Sequence, residues 1–104
     1  MHATIRRYDG VDQNRTAELT RKVNETLVPK LEKVPGFAGY FLIEAGNGVF
    51  SSLGLFETPE QGVESTKLVT TWIREEKFET LLPNAPTVIS GKIVAHSDCV
   101  PVAA

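Results

Sequence analysis

The chain has 104 residues, 41% of them hydrophobic and 23% charged. This is the composition of one globular domain with a thin but adequate core, and it excludes disorder as the main state. A formal charge of −2 with scattered basic residues argues against nucleic acid or an anionic membrane as partner.

One cysteine, Cys99, permits no intramolecular disulfide and reads as a free thiol on a C-terminal tail. No apolar run approaches the roughly 18 residues of a membrane span. Residues 1–9 lack the apolar stretch of a signal peptide, so a cytoplasmic protein is expected. The sequons at Asn14 and Asn24 then carry no meaning.

Residues 2–8 alternate as a short strand. Ala3 and Ile5 share one face; His2, Thr4, Arg6 and Tyr8 share the other. Asp9-Gly10 ends it. Asp12 then suits the cap of a helix running to about Val34, with an apolar stripe of Leu19, Val23, Leu27, Leu31 and Val34. Pro29 removes a backbone donor and clashes with the Glu25 carbonyl, so a kink or late break is expected there. Pro35-Gly36 stops the segment.

Two apolar runs follow, Phe37 to Ala45 and Val49 to Glu57, joined by Gly46-Asn47-Gly48. That link tolerates positive φ and predicts a β-hairpin. Thr58-Pro59-Glu60-Gln61 is a helix start: Thr58 as N-cap, Pro59 at the first helical position, Gln61 closing a capping box. The helix is expected to reach Glu79, with Ser65, Leu68, Val69, Trp72 and Ile73 inward. Residues 81–86 form a loop, and Thr87 to His96 the last strand.

The order is β-α-β-β-α-β. It predicts a ferredoxin-like α+β domain over residues 1–96 with a tail at 97–104. Its sheet has four antiparallel strands in the order 4-1-3-2, with both helices on one face. Phe37, Tyr40, Phe41, Leu42 and Ile43 place large apolar groups on both faces of one strand, and Val49, Phe50, Leu53, Leu55 and Phe56 do so on the next. Helices cover one face only. A second copy, packed sheet to sheet, is the expected cover for the other.

The element order, the VPGFAGYFLIEAGNG hairpin entry, the LFETPEQ junction and Trp72 together resemble the dimeric α/β-barrel superfamily. Within it they are most similar to small antibiotic-biosynthesis-monooxygenase-like (ABM-like) domains. The resemblance spans residues 1 to about 96. It implies a homodimer with an apolar pocket between helices and sheet, and a cofactor-independent monooxygenase acting on an aromatic or polyketide-like metabolite. A non-catalytic, ligand-binding or stress-related dimeric module is the alternative, because the superfamily hosts both. In the haem-degrading branch an Asn on the first strand and a Trp-His pair near the second helix carry the chemistry. Here the first strand has no Asn and residues 58–83 have no His, so haem degradation is not expected.

Other chemistries lack their residues. Gly46-Asn47-Gly48 leads into a strand and offers no helix terminus to phosphate. Zinc motifs are absent, and His2 and His96 at strand ends make a poor metal pair. The scattered serines compose no triad. Neither cofactor nor metal is expected. The pocket candidates are Trp72 and Asn24 on the helices, Tyr40 on the second strand, and Arg6 or Arg7 on the first. Adjacent arginines on a strand face opposite ways, so one of them points inward. The structural alternatives are Trp72 as core, Tyr40 at a dimer interface, and arginines paired with carboxylates such as Glu44 and Glu57.

Overall fold

A computed structural model describes residues 1–97; Cys99 and the rest of the expected tail lie outside the described residues. The strands are β1 (His2–Tyr8), β2 (Phe37–Gly46), β3 (Val49–Phe56) and β4 (Thr87–Lys92). They form one antiparallel sheet in the order β2-β3-β1-β4, which is the expected order read from the opposite edge. Two helical segments lie on one face: α1, residues 16–31, and α2, Pro59–Glu75. The fold is ferredoxin-like α+β.

The hairpin forms as its link dictates. Asn47 and Gly48 have φ of 55° and 76°, the positive values that a type I′ connection requires. The start of α2 also follows its sequence: the Gln61 N–H donates to Thr58 Oγ1, and the Gln61 side chain accepts from the Thr58 N–H.

Helix lengths depart from expectation at three ends. Helical structure begins at Thr16, not after Asp12. The Asp12 carboxylate accepts from the Asn14 N–H, and its carbonyl accepts from the Arg15 N–H. Asp12 therefore closes a turn of its own and caps nothing. Helical residues stop at Leu31, and Val34 packs into the core from the turn beyond.

α2 ends at Glu75, short of Glu79. Lys77 takes φ of 60°. The Lys77 N–H donates to Arg74 O and the Phe78 N–H to Ile73 O, which is a Schellman closure. A lysine at the left-handed position carries no sequence signature of that role. β4 stops at Lys92 rather than His96 because its partner runs out: Lys92 pairs with His2, and the Ile93 N–H reaches only Met1 O.

Pro29 acts upstream of itself. α1 is α-helical over Thr16–Lys22, π-helical over Val23–Leu27 and α-helical again over Val28–Leu31. The Val28 N–H donates five residues back, to Val23 O. This wide turn relieves the clash that an α-helix would impose between the proline ring and the Glu25 carbonyl.

The core lies between the helices and the sheet. Leu19, Val23, Leu27 and Leu31 of α1 meet Tyr8, Phe50, Val69, Trp72, Phe78 and Leu81 there. Strand alternation sends Thr4, Arg6 and Tyr8 of β1 to this side, with Phe50, Ser52 and Phe56 of β3. The opposite sheet face is bare. Phe41, Leu53, Ile5 and Ile89 stand in register across all four strands, and Phe41, Ile5 and Ile89 are 37%, 40% and 65% exposed. No helix among the described residues is long and apolar enough to cross a membrane.

Candidate functional site

The cleft between helices and sheet holds three spaces in series. Asn24 and Thr20 on α1 and Tyr40, Leu42 and Glu44 on β2 border a cavity of about 270 Å³. Arg6, Tyr8, Thr66, Ile73, Leu82 and Asn84 border another of about 330 Å³. A void of about 20 Å³ lies between them: it shares Tyr40 and Phe50 with the first and Tyr8 and Leu82 with the second. A larger groove of about 480 Å³ runs along Lys30, Lys33 and Lys67. It is open to solvent, and Glu64 and Glu75 share its wall.

Each expected site residue has a definite place. Arg6 is the inward arginine and is 2% exposed. Arg7 points to the bare face and pairs with Asp9 at 3.1 Å, so it leaves the set of pocket residues. Neither arginine pairs with Glu44 or Glu57 among the described ion pairs. Tyr40 faces the helices and lines the first cavity, because Tyr40 and Leu42 occupy the core-facing positions of β2. Asn24 is exposed at the mouth of that cavity, on the π-helical turn.

Trp72 is packed into the core. Its Nε1–H donates to Thr26 Oγ1 at 2.7 Å, and its ring meets Phe78 edge to face at 5.4 Å. It borders only the small void, so Asn24 and Trp72 do not share a cavity wall. His96 is exposed beside Ser97. No group of three metal-ligating side chains exists among the described residues.

Sequence reasoning offered neither Tyr8 nor Thr66 as a site residue, and both line the Arg6 cavity; Ser65, expected only as an inward helix residue, supports Arg6 from behind the lining. Arg6 Nη2 donates to Ser65 Oγ at 3.1 Å and to Thr66 Oγ1 at 2.6 Å. Both hydroxyls in turn donate to Gly62 O. Their protons are therefore spent on the helix, and their lone pairs face the arginine. One signal was available: Arg6 and Tyr8 share a strand face, two residues apart.

Burial dominates the electrostatics. It lowers the Arg6 pKa, against the neighbouring Tyr8 and Tyr40 phenols, which raise it. It raises the Tyr8 pKa, opposed by Arg6. Tyr40 is pushed up to about 12, by burial first; a hydrogen bond with Ser52 and the charge of Arg6 pull the other way, and Tyr8 adds to the rise.

No known family's sequence profile matches the chain, and no curated protein matches it. Solved structures do. A protein of unknown function from Nitrosomonas europaea superposes with a TM-score of 0.75 at 17% identity, over 97% of this chain and 94% of that one. A monooxygenase from the ActVA-Orf6 gene of Streptomyces coelicolor, solved with nanaomycin D, gives 0.67 at 13%, over 97% and 92%. The haem degrader MhuD of Mycobacterium tuberculosis, solved with two haems in its active site, gives 0.70 at 14%, over 93% and 99%. The chain has the ABM-like, ferredoxin-like fold. In this chain the helix-to-sheet cleft has largely apolar walls around one buried cation, Arg6, with the exposed carboxylates Glu44 and Glu79 on its lining.

The raised phenol pKa values have a measurable sign. Tyr40 titrates near 10.0 when unfolded and near 12 when folded, and Tyr8 shifts the same way. Between those values the unfolded state holds fewer protons, so this contribution to stability is fully present below pH 10 and is lost as pH rises toward 12. A denaturation series should show this decline. The two tyrosines of the chain should also ionise late in the native ultraviolet titration. Ionisation of both at ordinary phenol values would contradict the buried placement.

Proposed function

We propose that this chain is a homodimeric, ABM-type monooxygenase that oxidises an aromatic or polyketide-like metabolite between its helices and sheet, with residues 1–96 as its domain. The observation that carries the reading is Arg6 and Tyr8 on the wall of the 330 Å³ cavity, with Tyr40 facing Tyr8 across the narrow void, among mainly apolar side chains. A mostly apolar cavity with a few convergent polar groups is what orients a ring and recognises its oxygen substituents. The structural likeness to a monooxygenase solved with nanaomycin D supports the same class.

The chemistry asks little of the protein beyond binding. An electron-rich ring carbon bearing two hydrogens reacts with O2 to give a carbonyl and water, and the substrate supplies all four electrons. The developing enolate needs nearby positive charge and N–H or O–H donors in a dry site. Tyr8 and Tyr40 remain protonated donors because burial raises their pKa values, and Arg6 adds a fixed cationic wall that orients the substrate. Asn24 at the mouth of the first cavity is placed to bind a substituent.

Haem, which MhuD binds, does not fit the residues here. Among the described residues, no His, Met or Cys borders the cleft cavities. Tyrosinate is the other ligand the cleft could offer, and burial keeps both phenols protonated.

The alternative, a non-catalytic binding module, draws on Trp72, which is committed to Thr26 and Phe78, and on the 20 Å³ neck between the cavities. An oxygen electrode separates the two readings. With an anthrone as substrate, the enzyme reading expects O2 uptake with quinone formation, reduced at least tenfold in Tyr40→Phe. Saturable anthrone binding with no uptake above the spontaneous rate would favour the module.

The bare sheet face supports the dimer. The in-register row Phe41, Leu53, Ile5 and Ile89 is a contiguous apolar band that monomers rarely leave in water. Self-association through it is isologous, so each copy covers the other. Native mass spectrometry should give two chains of 11.4 kDa each, and Leu53→Lys should give one folded chain. A monomeric wild-type protein would contradict the dimer.

A further inference from the structure

Arg6 is the anomaly of this molecule. Charged side chains are almost never fully buried without an opposite charge. Arg7, Arg15, Arg21, Lys22 and Lys30 each have a carboxylate within 4 Å, and all five of those pairs are at least partly exposed. Arg6, at 2% exposure, is in none of them. Its acceptors are two neutral hydroxyls, both reached from Nη2. Its Nε–H is buried without a partner among the described residues. A buried cation with a spare donor carries a desolvation cost that an apolar residue of similar size would avoid.

The support around Arg6 holds it in one place. Ser65 and Thr66 grip Nη2, and the Gly62 carbonyl fixes both hydroxyls. α2 comes close enough for this because residue 62 has no side chain: a Cβ there would lie 2.8 Å from Thr4 Oγ1. The guanidinium is thus anchored through one nitrogen, and Arg6 forms part of the wall of the 330 Å³ cavity. The other walls include Val69, Ile73, Leu82, Pro83 and Pro86. The one carboxylate on the lining, Glu79, is exposed and makes no ion pair with Arg6. The volume lies at the small end of ligand cavities, roughly 300–1,000 Å³.

We infer that this cavity binds an anionic ring compound whose carboxylate completes the Arg6 guanidinium, with Ser65 and Thr66 as positioning residues. A planar carboxylate matches the guanidinium fork, and such a charge-assisted pair is stronger in a dry site than in water. The apolar walls take the ring. This deepens the monooxygenase reading by naming the substrate class, and it rests on the cleft being the ligand site. It needs no catalysis, so binding and turnover fail separately.

The test is calorimetry and chemical-shift titration under anaerobic conditions, with 2-naphthoate against its neutral isostere 2-naphthamide. Wild-type protein should bind the carboxylate saturably and at least tenfold more tightly than the amide. Arg6→Met should lose that preference while keeping or gaining thermal stability, because the desolvated charge is gone. Arg6→Lys should recover part of the preference, and Thr66→Val should weaken naphthoate binding severalfold with the fold intact. If Arg6→Met does not fold, the wild-type preference and the Thr66→Val variant still decide the matter. Equal affinity for acid and amide, naphthoate binding unchanged in the Arg6 variants, or no saturable binding at millimolar naphthoate would each overturn the inference. Naphthoate binding without O2 uptake from an anthrone would leave it standing and remove the oxygenase reading instead.

Discussion

The structure is organised around one buried cation. Arg6 stands on β1, a central strand with partners on both sides, and its side chain has only the helix layer to turn to. α2 answers it with polar groups rather than apolar ones. Gly62 lets the helix approach β1 closely, and Ser65 and Thr66 point acceptors at the guanidinium. α1 packs its side of the core with Leu19, Leu27 and Leu31 instead. The cleft between helices and sheet therefore has one buried cationic wall among mainly apolar ones. A fold selected for stability alone has no need of that asymmetry.

The rest of the molecule serves to keep the cleft open and in shape. The π-helical turn ahead of Pro29 carries Asn24 at the mouth of one cavity and Thr26 beneath Trp72. π-bulges are rare and often accompany functional sites. Trp72 works as the internal strut between the two cavities, held by Thr26 and Phe78. The Schellman closure at Lys77 turns the chain so that Phe78 and Leu81 seal the core and Leu82 to Pro86 form the outer rim of the Arg6 cavity. The bare sheet face, with Ile5 behind Arg6 on the same strand, gives β1 an apolar role on one side and a polar role on the other.

What the sequence revealed was local. The hairpin link and the capping box announce themselves because their residues interact within four positions of each other. The strand order followed from right-handed crossovers. Helix ends were not legible: Asp12 has two competing uses for its carboxylate, and nothing marks Lys77 as a left-handed residue. For the site, strand parity showed that one of Arg6 and Arg7 turns inward, but not which. That choice depends on partners 59 and 60 residues away. Trp72 and Asn24 both read as pocket candidates, with a core position as the alternative for Trp72; packing makes Trp72 a strut and places Asn24 at a rim.

The central claim is that Arg6 awaits an anion in the cleft. It is tested most directly by a crystal structure of the protein soaked with 2-naphthoate. The account predicts the carboxylate within hydrogen-bonding distance of the Arg6 guanidinium, with the rings between α2 and the loop from Leu82 to Pro86. Arg6 paired with a carboxylate of the protein itself, or naphthoate bound only in the open lysine groove or on the sheet face, would contradict it.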